Sequence, residues 1–340
     1  MEIMKTYVLS NKNGMRAVVT NYGGRIMQLM VADRHGGWQD VVLGYDRAEE
    51  YRKENHLGDF GAAIGRYANR IGNGRLAIGG REWQLPQNNG PHCLHGGPDG
   101  WQYRPFEVVN ASGSSIKMVL ESPDGDNGFP GRVRVEMVYR LTDDNALAID
   151  YSATTDAPTV INMTNHSYFN LNGSAKESAM NHVLTIDADR YLPIDPTSLP
   201  LGMMVGVENT PFDFRLPKTI GLDIDKEDVQ LRNGSGYDHC WVLNHRGDMS
   251  RPCARLESPV TGIALEVFTT EPGMQVYTGN FLDGSVVGKG GTAYGRRCAV
   301  CLETQKYPDS PNHNWVESNP FLTPGERFES HSVYRFSTTE

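Results

Sequence analysis

Between Arg132 and Leu141 the side chains alternate with a period of two. Val133, Val135, Met137, Tyr139 and Leu141 fall on one face, and Arg132, Arg134, Glu136 and Arg140 mainly on the other. A strand with one buried and one wetted face reads this way, and such strands belong to antiparallel sheets. Similar runs occur at Leu147–Ala153, Val183–Ala188, Ile263–Thr269 and Val333–Phe336. Turn sequences punctuate them, among them Asn11-Lys12-Asn13-Gly14, Ile78-Gly79-Gly80, Asp124-Gly125-Asp126-Asn127-Gly128 and Asn233-Gly234-Ser235-Gly236. Glycine makes up 37 of the 340 residues, about 11% against a usual ~7%, which suits a chain of many turns.

The expected fold is therefore all-β, with roughly twenty or more strands in one large sandwich of stacked antiparallel sheets. No linker divides the chain, so residues 1–340 read as one domain. The best helix candidate is Asp46–Asn55, with Asp46 as N-cap and Glu49 three residues on. A second short turn is expected near Asp225–Leu231. Gly284–Arg296, with five glycines and few large apolar residues, reads as a mobile surface loop.

The formal net charge of −9 argues against a nucleic-acid backbone or an anionic membrane as the main partner, since both need clustered Lys and Arg. No apolar run approaches the ~20 residues needed to span a bilayer, and Met1–Met15 does not read as an export leader. A cytoplasmic location is expected, in keeping with an odd set of five cysteines (Cys93, Cys240, Cys253, Cys298 and Cys301) as reduced thiols. Cys298 and Cys301 form a single CxxC without a second pair, so they read as thiols of a strand.

Against this background, five short segments carry polar and titratable side chains on or beside strand-like runs. His166 lies in Thr164-Asn165-His166-Ser167-Tyr168, a run crowded with polar groups, and a strand spends those on a network or a ligand. Its imidazole is suited to proton transfer near neutrality. His95 precedes Gly96-Gly97, where backbone or ligand can come close. Glu303 closes the apolar run ending at Leu302 and is a candidate general base, since partial burial raises a carboxyl's pKa toward a useful range. Asp238, between Tyr237 and His239, can accept hydrogen bonds from two neighbouring hydroxyls, with flanking aromatics to stack on a sugar ring. Arg70, after Asn69, offers a fork of donors to hydroxyls or to a developing alkoxide. His95 and His166 lack a metal-ligand spacing and there is no HExxH, so no catalytic metal is expected.

The ordered motifs resemble the aldose 1-epimerase (galactose mutarotase) family. They are Gly65-Arg66-Tyr67-Ala68-Asn69-Arg70-Ile71, Leu94-His95-Gly96-Gly97, Asn162 to Asn170, Thr210 to Arg215, Tyr237-Asp238-His239, Glu271 to Asn280, and Cys301-Leu302-Glu303-Thr304-Gln305. The resemblance runs from about Asn21 to Phe336. It implies a galactose mutarotase-like supersandwich with an open cleft, and interconversion of the α and β anomers of free aldoses such as glucose and galactose. By motif position it implies Glu303 as base, His166 as acid, His95 and Arg70 as partners at the reacting oxygens, and Asn69, Asp238 and Gln275 as ligands of the substrate. A small aldose sugar is the expected partner and the chemistry requires no cofactor; the sequence leaves monomer and homodimer both open. The residue chemistry agrees independently: opening a cyclic hemiacetal needs a base at the C1 hydroxyl and an acid at the ring oxygen, with the roles reversed on closure. A glycoside hydrolase would need two carboxylates flanking the bond, and a simple carbohydrate-binding module would need no acid–base pair.

Overall fold

The computed structural model describes residues 4–55 and 58–339. Its strands gather mainly into three antiparallel sheets. The largest has nine strands, in the spatial order 107–111, 115–122, 133–141, 146–155, 328–338, 263–269, 254–257, 183–186 and 218–219. A second, of six strands, runs in the order 168–169, 300–305, 273–277, 238–242, 190–192 and 205–206. The third has four strands, from Thr6–Ser10 to Trp38–Asp40, joined in sequence order.

The strand Val133–Leu141 shows why the large sheet forms. Val133, Val135, Met137 and Tyr139 are fully buried, while Arg134 and Arg140 are exposed. Burying side chains of that size is worth roughly 1.5–3 kcal/mol each. A one-residue slip in register would turn the whole apolar set into water. On the wet face Arg134 lies directly opposite Glu121 and pairs with it at 2.7 Å. The other expected strands form as well, at Ala146–Thr155, Val183–Ile186, Ile263–Thr269 and Phe328–Thr338.

The six-stranded sheet lays one face on the large sheet. Trp241, Met274, Val276 and Leu302 join a core that includes Ile149, Val267 and Tyr334. Tyr334 donates its hydroxyl to the Leu302 carbonyl at 2.9 Å, and Thr304 and Ser332 join hydroxyls at 2.7 Å. Its other face is turned away from this core, and there the polar residues of the site collect.

Two local expectations are corrected. The segment Asp46–Asn55 is not an α-helix: it forms two 3-10 turns, Ala48–Tyr51 and Lys53–Asn55, separated by an extended Arg52. Arg47, not Asp46, is the capping residue, its backbone N–H donating to Glu50 at 2.9 Å. The three-residue spacing that buries both Ala48 and Tyr51, with the Tyr51 hydroxyl taking the Tyr45 N–H at 2.7 Å, selects the tighter helix. Asp46 instead accepts from the Gly290 backbone at 2.8 Å.

The loop Gly284–Arg296 is tied down. Lys289 donates to Asp40 at 2.7 Å and to the Val42 carbonyl at 2.8 Å. Tyr294 is 1% exposed and donates its hydroxyl to the Gly44 carbonyl at 2.6 Å. Counting glycines missed these two anchors. The α-helix Val229–Gly234 overlaps the expected turn and is capped by Asp228, whose carboxylate accepts from the N–H groups of Gln230 and Leu231. All five cysteines are free thiols. No helix among the described residues is long and apolar enough to cross a membrane.

Candidate active site

Three neighbouring strands build the floor. In the pairing of Asp238–Val242, Gly273–Tyr277 and Val300–Gln305, Cys240, Gln275 and Glu303 lie side by side in one row. Asp238, Tyr277 and Cys301 form the next row, extended by Tyr168 beyond Cys301. Alternation along each strand sends this set to the face opposite the core. Above the floor stand His166, just before Tyr168, and a wall from the paired segments Arg70–Ile71 and Cys93–Leu94. The resulting cleft, of about 260 Å³, is lined by Asp59, Asn69, Arg70, Asn89, His95, His166, Tyr168, Asp238, Tyr277, Phe281 and Glu303, among others.

Glu303 is 2% exposed and His166 6%. His166 Nε2 stands 3.7 Å from Glu303 Oε1. Neither His166 Nδ1 nor Glu303 Oε2 has a protein hydrogen-bond partner. The His166 ring stacks on Tyr168 at 5.0 Å and 14°, and meets the edge of His95 at 5.3 Å. Its backbone is held at both ends, N–H to Ala62 and carbonyl to Gly61. Burial pushes the Glu303 carboxyl well above the usual carboxylate range, and the charges of Asp238 and Asp59 push it further the same way. Burial pushes His166 down to about 4. Both groups are thus driven toward their neutral forms.

His95 is held in a left-handed conformation, φ 52°. Gly96 is needed beside it, because a Cβ there would meet the Gly65 carbonyl oxygen at 2.2 Å. His95 Nδ1 accepts the Asn69 backbone N–H at 3.1 Å, which places the proton of the neutral ring on Nε2. Asn69, also left-handed at φ 66°, accepts the Arg70 N–H on its side-chain oxygen. Arg70 gives its Nε–H to Asn89 at 3.0 Å. Gln275 donates to Asp238 at 2.7 Å, and burial pushes the Asp238 carboxyl upward despite Arg70.

The structure therefore brings together the seven residues singled out by the sequence: Asn69, Arg70, His95, His166, Asp238 and Glu303 line the cleft, and Gln275 joins them through Asp238 and opposite Glu303. The aromatics beside Asp238 do not follow it. Tyr237 and His239 are fully buried on the opposite side of the strand, Tyr237 donating to the Pro211 carbonyl and His239 packing against Phe212. Period two forbids adjacent residues from sharing a face. The aromatic surface comes instead from Tyr168, Tyr277 and Phe281. Phe281 is 64% exposed and stacks on Tyr277 at 6.1 Å. Tyr168 and Tyr277 were legible, each two residues beyond a singled-out residue on the same strand face; Asp59, Asn89 and Phe281 carried no such signal.

His166, Cys301 and Glu303 offer a nitrogen, a sulfur and an oxygen within 4.8 Å of one another. Burial and the nearby Glu303 charge push the Cys301 thiol well above its ordinary pKa.

The chain matches the family model for aldose 1-epimerase over residues 5–335. It belongs to that family. It is 40% identical to galactose mutarotase of Mus musculus over 322 residues, 94% of this chain and 90% of the relative. It is 39% identical to aldose 1-epimerase of Escherichia coli K12 over 329 residues, 96% and 94% of the two chains. Among solved structures, an aldose epimerase homologue from C. elegans superposes with a TM-score of 0.91 at 32% identity, covering 99% of this chain and 100% of the other. Galactose 1-epimerase from Lactobacillus acidophilus gives 0.87 at 29%, covering 100% and 96%. The fold is that of the galactose mutarotases, and the chain is an isomerase of the epimerase class.

Proposed function

We propose that this aldose 1-epimerase interconverts the α and β anomers of free aldoses, with Glu303 and His166 as the proton-transferring pair. The observation that carries the reading is the 3.7 Å separation of a buried carboxylate and a buried imidazole in the cleft, each with a polar atom that has no protein partner. The two oxygens that must exchange protons, the C1 hydroxyl and the ring oxygen, are bonded to the same carbon. An acid and a base side by side can serve both.

The pair shares one proton. In its ionic form Glu303 takes the proton of the C1 hydroxyl while His166 protonates the ring oxygen, and the C1–O5 bond opens to the aldehyde. The pair is then neutral, the form that burial favours. Rotation about C1–C2 presents the other face of the carbonyl, and closure returns both protons. His95 donates from Nε2 and Arg70 from its terminal nitrogens to the oxygens that gain charge on the way. Asn69, Asp238 and Gln275 hold hydroxyls of the ring, Asp238 as an acceptor from two of them. Arg70 is the only Lys or Arg lining the described cleft, against the acidic side chains Asp59, Asp238 and Glu303. That balance suits a neutral sugar better than a sugar phosphate.

Polarimetry of fresh α-D-glucose and α-D-galactose, with and without protein, tests the reading. Acceleration of mutarotation in proportion to enzyme is expected. A rate equal to that of buffer for both sugars would refute it.

A further inference from the structure

The motif Cys301-Leu302-Glu303-Thr304-Gln305 holds a residue with no part in the scheme above. Gln305 is fully buried, and neither its amide oxygen nor its amide nitrogen has a protein partner. Three more buried atoms nearby share that condition: Glu303 Oε2, Gln275 Oε1 and Thr164 Oγ1. These side chains are neighbours by construction. Glu303 and Gln305 are two apart on one strand, so they point to the same face at a spacing of about 6.8 Å. Gln275 lies directly opposite Glu303, where side chains start about 5 Å apart. The strand Thr164–Asn165 packs against Val300–Gln305.

Buried amides, carboxylates and hydroxyls are rarely left dry, and internal water satisfies those that protein does not. The donor inventory here fits one. Gln275 gives one N–H to Asp238 and keeps the other for a sugar hydroxyl, while its oxygen, an acceptor, has no protein partner. Glu303 Oε2 is an acceptor when ionised, and Gln305 Nε2 supplies a donor. A water that accepts from Gln305 and donates to Glu303 and Gln275 makes three hydrogen bonds, the usual number for a buried water. At about 2.8 Å per hydrogen bond, one molecule spans the spacing of these rows.

We infer that Gln305, with Gln275 and Thr164 beside it, holds an internal water against Oε2 of Glu303. Gln305 is thereby a positioning residue for the base. The water orients the carboxylate so that Oε1 faces His166 and the sugar, and it solvates the charged form that the closed-ring step requires. The water's place depends only on the buried atoms; its catalytic consequence rests on the assignment of Glu303 as base.

Two measurements test the inference. A high-resolution crystal structure of the unmodified protein should show a water within hydrogen-bond distance of Gln305 Nε2 and Glu303 Oε2. Direct contact between those two side chains, with no water, would overturn the inference whatever Glu303 does. Gln305→Met, which keeps size and removes both polar atoms, should lower kcat about tenfold, the worth of a lost hydrogen bond to a charged group, with KM within about twofold. Gln305→Asn, which keeps the amide, should recover most of the loss. A folded Gln305→Met enzyme with unchanged kcat, or an Asn variant no better than Met, would also overturn it. If Gln305→Met does not fold, Thr164→Val replaces it, with a smaller fall in kcat expected and an unchanged kcat counting against the inference. Inactivity of Glu303→Gln tests the base assignment separately.

Discussion

Glu303→Gln should make the enzyme slower and the protein more stable. The change is isosteric: the amide retains one oxygen near His166 and replaces the other with a nitrogen that cannot take a proton. A positioned general base contributes about 10²–10⁴ in rate, or roughly 3–5 kcal/mol of barrier. The kcat for mutarotation should fall at least about a hundredfold. The stability effect follows from burial. Glu303's pKa is raised in the folded protein above the ordinary carboxylate value of 4.5. Its favourable contribution is therefore complete below the unfolded value and is lost as pH rises through the folded one. Above that window the native state holds a carboxylate with little water, close enough to Asp238 and Asp59 to feel their charges. Glutamine carries no such charge. The variant's Tm should match the wild type near pH 4.5 and exceed it near pH 8, each unit of upward shift counting for about 1.4 kcal/mol. Polarimetry with α-D-glucose and melting curves at the two pH values give both numbers. A kcat within tenfold of wild type would refute the base assignment. A Tm below wild type at pH 8 would refute the claim that the buried charge strains the fold.

Five histidines whose pKa values burial lowers set the acid limit of stability, His92 among them. His95 and His239 are pushed down to about 3, and His166 and His182 to about 4, all chiefly by burial. Each contributes stability that is present above the ordinary value of 6.5 and is lost as pH falls toward the folded one, at about 1.4 kcal/mol per pH unit. The raised carboxyls of Glu303 and Asp238 act oppositely, but they are two against five. Tm should therefore drop between pH 6.5 and 4, and a flat profile would contradict the burial argument. Asp238→Asn keeps an oxygen for the Gln275 N–H and removes a buried charge, so Tm should hold or rise while KM rises about tenfold or more, since a hydrogen bond to a charged group is worth about 1.5–3 kcal/mol. A collapsed Tm with unchanged KM would make Asp238 structural. Prolonged chelation should leave mutarotation intact; loss that returns with added divalent ion would show that the set His166, Cys301 and Glu303 holds a working metal.

The fold was legible because one physical rule governs most of the chain. In Val133–Leu141 every residue expected inside is inside, and the same holds in outline for the strands it pairs with. Where the reading erred, the deciding contacts were remote in sequence. The loop Gly284–Arg296 is fixed by Lys289 reaching Asp40 and by Tyr294 reaching Gly44, some 250 positions earlier. No local composition reports such a contact. At Ala48–Tyr51 the helix type was decided by what the two buried side chains met, which propensity does not encode.

The site was legible for a different reason. Polar residues in a strand of an otherwise apolar sandwich must have a face to occupy, and the face away from the core holds most of those in this site. Asp238, Gln275 and Glu303 sit on adjacent strands with alternate residues (Trp241, Met274, Val276, Leu302) packed into the core. The apolar alternation that builds the sandwich therefore also assembles the polar row, and cross-strand register alone sets Gln275 against Glu303. The same rule explains the one error inside the site, since Tyr237 and His239 flank Asp238 in sequence and so could never share its face. It also limits what sequence can offer: His95 and Arg70 enter from segments whose approach depends on left-handed turns at Asn69 and His95. The 3.7 Å meeting of His166 with Glu303 follows from the chain just before Tyr168, whose strand pairs with that of Glu303. Rigid strands thus hold the base and the ring ligands, while shaped turns bring up the donors. A variant that relaxes a turn, such as Gly96→Ala against the Gly65 carbonyl, should disturb His95 and leave the floor intact.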